Sequence, residues 1–214
     1  MKKEEKLKII RIILRENEMD KLRLIKDSLE ELKKEYQKNP NNFFNEHDFH
    51  HIFFNVVYSK LGDESKLLFH PEYPTRNRFV REKEKDEEYE KDKHSFSLDK
   101  NKGKRGHYDF VVLKEGFYED NKDDINKLSN KTVLINKKIN YKYIDTAIEF
   151  KYTTGYLDIN EIKFDLFKLN EAEEVDNKIL VVFLKKEVPN SKEISRNIQN
   201  LNKGSVEIFK TDDI

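Results

Sequence analysis

Glu149 and Lys151 lie two residues apart in Thr146-Ala147-Ile148-Glu149-Phe150-Lys151-Tyr152, a run rich in apolar and β-forming residues. Side chains alternate along a strand, so Ala147, Glu149 and Lys151 share one face and Ile148, Phe150 and Tyr152 the other, with the two charges about 7 Å apart along the chain. Charged groups are rarely buried without a partner or a task. A second carboxylate, Asp109, is the one charge in another apolar run, His107-Tyr108-Asp109-Phe110-Val111-Val112-Leu113. Two carboxylates converging on one point suit a hard divalent cation bound through oxygen, typically magnesium, which keeps several waters and also takes phosphate oxygens. Such a centre can activate a water and neutralise charge developing on a phosphodiester. A lysine beside it can position or deprotonate the water, or stabilise the charged transition state, and the residue types leave that choice open.

The Glu-any-Lys spacing alone carries little weight, because 39% of residues are charged and it recurs at Glu4/Lys6, Glu31/Lys33, Glu64/Lys66 and Glu161/Lys163. Those four fall in polar helical stretches or beside the helix-ending Gly62, and only Glu149/Lys151 falls in an apolar strand. The plainer alternative for that stretch is a half-exposed edge strand. Glu46 is a third carboxylate of interest, at the inner edge of a helical stripe containing Phe49 and Phe53. In the first turn of that helix it either complements the dipole or points at an active site. His47, His50 and His51 crowd the same turns without a matched carboxylate or cysteine set, so metal ligation by them is the lesser reading.

The elements that must position these residues stand out as blocks. Leu7, Ile9, Ile10, Ile13 and Leu14 form one stripe and Leu22, Ile25, Leu29 and Leu32 another, which predicts a helical pair over residues 4–38 with a break near Asn17. After Asn39-Pro40-Asn41-Asn42, a third helix is expected from the N-cap Asn45 to Leu61, with Gly62 as its stop. A short strand over 67–70 leads into Pro71-Glu72-Tyr73-Pro74, and the dense charge of residues 81–106 reads as a long mobile loop. Strands are then expected over 107–113, 132–135, 141–152, 178–184 and 206–209, the second and third forming a hairpin. Asp158 and Glu161 open a helix over 159–170, and Pro189-Asn190-Ser191 opens another ending near Leu201. The pattern predicts an α/β (α+β) sheet flanked by helices over residues 41–214, with an N-terminal helical pair, residues 1–40, packed on it.

Composition narrows the function classes. Lys+Arg and Asp+Glu both number 42, so any basic surface for nucleic acid must be local. The absence of cysteine excludes disulfides, zinc–thiolate sites and a cysteine nucleophile. No apolar run approaches the roughly 20 residues that span a bilayer. Met1-Lys2-Lys3-Glu4-Glu5-Lys6 lacks the apolar core of a signal peptide, and a cytoplasmic location without a membrane partner is the expectation.

Asp109 in one strand and Glu149-Phe150-Lys151 in the next long one resemble the core motif of the restriction-endonuclease-like, PD-(D/E)xK nuclease superfamily. Tyr108 stands where that motif has proline, and the long stretch between Asp109 and Glu149 implies an inserted hairpin. The resemblance spans about residues 42–184, including the helix over 159–170 with Asp165 and Lys168 and the apolar strand over 179–184. It implies a restriction-endonuclease-like mixed central sheet and magnesium-dependent hydrolysis of phosphodiester bonds, with manganese as a substitute metal and DNA, less often RNA, as substrate. By the same resemblance Asp109 and Glu149 hold the metal with the Phe150 backbone carbonyl, and Lys151 assists the water. Glu46 becomes an outer or second-metal carboxylate, and Glu72 is a lesser candidate. Arg76, Arg78, Arg81, Lys102, Lys104 and Arg105 are the bases expected to meet the nucleic-acid backbone. Many such nucleases act as dimers, which allows a homodimer here. The contrasting expectation is a non-catalytic interaction or nucleic-acid-binding module on the same fold, with residues 1–38 docking a partner and Glu149/Lys151 forming a structural ion pair.

Overall fold

No proline or glycine occurs before Pro40, so nothing in the backbone chemistry forces a break in the first helix. The computed structural model describes residues 3–62, 66, 68–86, 91–98, 103–121, 142–153 and 159–184, and near the C-terminus residues 196, 198–200, 202, 204 and 206–210. The chain forms two compact units, Met1–Lys66 and Leu67–Ile214.

In the first unit, helix α1 runs unbroken over Lys3–Lys38, which corrects the expected helical pair with its break near Asn17. Helix α2 spans Glu46–Lys60, close to expectation. Asn45 caps it: His47 N–H donates to Asn45 Oδ1 at 2.8 Å, and Asn45 N–H donates to Asp48 Oδ2 at 3.0 Å. Ile25, Leu29, Leu32 and Tyr36 on α1 are buried at helical spacing, as are Phe49, Phe53 and Val57 on α2. Tyr36, Phe43 and Phe49 pack ring against ring, with Phe43 and Phe49 centroids 4.4 Å apart. These contacts join α2 to α1, so the division of the chain falls after Lys66 and not near residue 40.

The second unit is a mixed α/β structure built on a six-stranded mixed sheet. Its strands are β1 (Phe69–Asp86), β2 (Lys91–Leu98), β3 (Lys104–Leu113), β4 (Ile144–Thr153), β5 (Val175–Leu184) and β6 (Glu207–Lys210), in the order β2-β1-β3-β4-β5-β6. The first four pair antiparallel, while β4, β5 and β6 run parallel. A parallel neighbour needs a crossover, and helix α4 (Ile159–Asn170) supplies it between β4 and β5. A single turn, α3 (Phe117–Asp120), follows β3. Ile162, Leu166 and Leu169 of α4 share one core with Val111, Ala147, Leu180 and Val182 of the sheet. On the opposite face Phe69, Phe110, Phe150 and Phe183 form a row of rings with successive centroids 5.4, 5.8 and 6.5 Å apart.

The charged stretch expected as a mobile loop over 81–106 is largely strand. β1 continues to Asp86 and β2 returns along it, with β3 already begun at Lys104. The register sets Glu84 opposite Lys93, Lys85 opposite Asp92 and Asp86 opposite Lys91, so residues of opposite sign face each other across the ribbon. Nearer the sheet Phe96 rests on Phe164 and Phe167 of α4, at 5.3 and 6.1 Å. The strand expected over 132–135 and its hairpin, the turn at Gly155, Asp158 and the start of the helix at Pro189 all lie outside the described residues.

β1 and β3 both change face at one level. Phe69 and Phe110 belong to the row of rings, whereas Tyr73 and Tyr108, each an even step further on, belong to the α4-side core. Between them in register lie Glu72 and Asp109, bracketed by the pairs Pro71↔Phe110 and Tyr73↔Tyr108. Glu72 has φ of +51°, and among the described residues no other non-glycine residue has a positive φ. Past this point β1 bulges between Pro74 and Arg78. Glu174, at the entry to β5 and 1% exposed, holds the bulge by accepting the Arg76 N–H and the Tyr108 hydroxyl on Oε1, each at 3.0 Å. Arg105 Nη1 donates to Thr75 O at 2.6 Å, and Thr75 Oγ1 accepts the Gly106 N–H at 3.1 Å.

Two stability outcomes follow. Glu174→Ala leaves the Arg76 N–H and the Tyr108 hydroxyl buried without their acceptor, at about 1–3 kcal/mol each, and should visibly lower the urea midpoint. Glu72→Gly removes the left-handed penalty at the price of backbone entropy and should leave the midpoint unchanged or raise stability by up to about 1 kcal/mol.

Candidate active site

The ladder between β3 and β4 reaches the pair Phe110↔Ile148 and goes no further toward the start of β3. One step on, the Phe150 N–H donates to Asp109 Oδ2 at 2.6 Å, so a carboxylate takes the place of a strand carbonyl. A residue's N–H and C=O leave a strand on the same side, which turns the Phe150 carbonyl toward Asp109 as well. The site therefore opens where two paired strands part.

Glu149 points to the α4 side of the sheet and is 1% exposed. Lys168, on the last turn of α4 and 5% exposed, brings Nζ to 2.6 Å from Glu149 Oε1 and 3.2 Å from Asp165 Oδ1. The same ammonium donates to the His107 carbonyl at 2.8 Å. Lys151 Nζ lies 3.0 Å from the other Asp165 oxygen, with its side chain 18% exposed. The four side chains form a chain of alternating sign, Lys151–Asp165–Lys168–Glu149, that ties β4 to α4. Glu149 Oε1 and Asp165 Oδ2 meet their ammonium groups at ion-pair distance without hydrogen-bond geometry.

Burial pushes the Glu149 carboxyl well above the usual range, against the pull of Lys168, and the nearby Asp165 and Asp109 carboxylates push it further the same way. Burial works to lower Lys168, but Glu149 and Asp165 outweigh it and the ammonium is pushed up to about 12. Lys168 is thus a fixed positive charge, and burial is the main reason that Glu149 resists ionising beside it.

The structure brings Asp109, Glu149, the Phe150 backbone and Lys151 to one place. Glu46 lies in the first turn of α2, in the other compact unit. Glu72 is exposed on β1, opposite Asp109 in register. The bases expected to meet nucleic acid divide. Arg78 donates to Gly103 O at 3.0 Å, Arg105 holds Thr75 O, and Arg81 pairs with Glu161 at 2.6 Å. Burial, then the neighbouring Arg78, lowers the Arg105 guanidinium. Arg76 is half-buried, Lys104 is exposed, and Lys102 lies outside the described residues. The working parts of Asp165 and Lys168 were not assigned from the sequence. A signal existed, since both fall among the inward positions Ile162, Leu166 and Leu169 of an amphipathic helix.

Comparisons of the chain with protein families, with curated proteins and with solved structures find no match.

Because the folded Glu149 carboxyl titrates above its ordinary 4.5, the folded chain keeps a proton there that the unfolded chain has released. This group's contribution to stability is full below about pH 4.5 and is lost as the pH rises through the raised value. Melting temperatures of the wild type and Glu149→Gln, compared from pH 4.5 to 8 without divalent metal, should move against the wild type as pH rises. A constant difference between them would contradict the raised value.

Proposed function

We propose that the chain is a magnesium-dependent nuclease of the restriction-endonuclease-like, PD-(D/E)xK type, hydrolysing phosphodiester bonds, with DNA as the first substrate to test. The observation that carries this reading is the Asp109 carboxylate bound to the Phe150 N–H at the fork of β3 and β4, beside a buried Glu149. Asp109, Glu149 and the Phe150 carbonyl are all hard oxygen donors, as magnesium or manganese requires. Burial, and after it repulsion from Asp165 and Asp109, raises Glu149, and a divalent cation would offset both, so the residues fit the ion. The ion would supply Lewis acidity and a bound water of lowered pKa. Lys151 is the more exposed of the two lysines, and its amine is the one placed to meet a water or a phosphate oxygen. Asp165 orients Lys151, and Lys168 holds the Glu149 carboxylate against α4. Lys104 is exposed on β3 and leads the proposed backbone contacts.

A second reading rests on the same ion chain. Two acids and two bases alternate and neutralise one another, which fits a structural network in a non-catalytic interaction module. The two readings part in one assay. Purified protein is incubated with supercoiled plasmid, linear duplex, single-stranded DNA and RNA, in magnesium, manganese or EDTA. The nuclease reading expects cleavage that needs the metal and falls at least about a hundredfold in Lys151→Ala and in Asp109→Asn. No cleavage of any substrate, with no calorimetric metal binding, would leave the interaction module.

A further inference from the structure

We infer that the Lys168 ammonium is a built-in cation of the candidate site, standing where a second metal ion would stand, so that the centre takes a single divalent ion. The inference rests on the nuclease reading and concerns the metal content of that same site. Three oxygens from three elements surround Nζ: Glu149 Oε1 on β4 at 2.6 Å, the His107 carbonyl on β3 at 2.8 Å and Asp165 Oδ1 on α4 at 3.2 Å. That is the donor set of a hard-cation cage, and the side chain filling it is 5% exposed. Lys151 meets the other oxygen of the same carboxylate, Asp165 Oδ2, at 3.0 Å.

Charge counting points the same way. A bound divalent ion would displace the proton of Glu149; Asp109, Glu149 and Asp165 then bring three negative charges and Lys151 and Lys168 two positive ones, a sum of −1 before the ion is counted. One divalent ion takes the sum to +1, whereas two would take it to +3 in a largely buried site. Two-metal centres place their ions about 3.5–4 Å apart between shared carboxylates. Here one side of Glu149 is already covered by the ammonium, which leaves the Asp109 side for an ion.

The test follows the ammonium itself. Burial, the hydrogen bond to the His107 carbonyl and the two carboxylates slow the exchange of the ammonium protons, so ¹⁵N-labelled full-length protein should give a Lys168 Nζ resonance near neutral pH, assigned by its loss in Lys168→Arg. Magnesium is then added to saturation while calorimetry counts ions. The inference expects the resonance to persist and one ion to bind per chain. In Lys168→Ala the emptied cage should take a second ion, so the count rises from one to two. Loss of the wild-type resonance on adding magnesium with the fold intact, or two ions bound by the wild type, would overturn the inference while sparing the nuclease reading. A folded Lys168→Ala that still binds one ion would also overturn it. If Lys168→Ala does not fold, the wild-type resonance and ion count decide. No ion bound by the wild type would overturn both.

Discussion

The ion pair between Lys168 and Glu149 is the interaction on which the rest of the sheet unit turns. A carboxylate 1% exposed and an ammonium 5% exposed are each costly to bury, by several kcal/mol, and neither is tolerable without the other. Removing either partner leaves a charge in the core, so the contact fixes the angle at which α4 lies on β4. It also fixes the crossover, because α4 is the segment that carries the chain from β4 to its parallel neighbour β5. Apolar contacts of Ile162, Leu166 and Leu169 supply the burial, but they are non-directional. The His107 carbonyl, held by the same ammonium, extends the constraint to β3.

A second constraint acts across the strands. β1 and β3 exchange faces at the level of Glu72 and Asp109, and the backbone of Glu72 is left-handed there. Such a conformation costs on the order of 1–2 kcal/mol for a residue with a side chain, and persists where its surroundings over-determine it. Glu174 and Arg105 are those surroundings, gripping the bulge that follows. The twist turns Asp109 out of the regular pleat, so its carboxylate lies at the strand edge and takes the Phe150 N–H. The same geometry ends the β3–β4 ladder, and a fork between strands is what gives a small ion or a phosphate access to a sheet's interior.

How much of this was legible depended on how apolar each element is. β3, β4, β5 and α4 could be drawn from their apolar runs to within a few residues, because their burial is written in Val, Ile, Leu and Phe. The β1–β2 ribbon could not, since its sequence is dense in charge and the contact of Phe96 with α4 leaves no local apolar period. Helix α1 was cut in two because its stripe changes near Asn17, yet one asparagine among good helix formers is a small penalty and no glycine or proline is present. At the site, the strand context singled out Asp109, Glu149 and Lys151. The partner of Glu149 was hidden, because a lysine on an amphipathic helix in a chain this charged reads as solvated surface until the helix is placed.

The chain of four charges argues about its own purpose. Well-packed apolar side chains of similar volume do as well as, or better than, a buried ion pair for stability. A sheet whose opposite face is a row of phenylalanine rings has no shortage of apolar packing, so two acids and two bases between β4 and α4 are poorly explained as a means of holding helix to sheet. They are better explained by what they leave unbalanced. Within the chain the signs cancel, and Asp109 stands beside it as a fifth charge whose carboxylate is committed to the Phe150 N–H through one oxygen. Its repulsion reaches Glu149, where burial has already made the charged form unfavourable. On the proposed function, a cation at the open end of the fork would offset the burial and the repulsion that together oppose the charged form of Glu149.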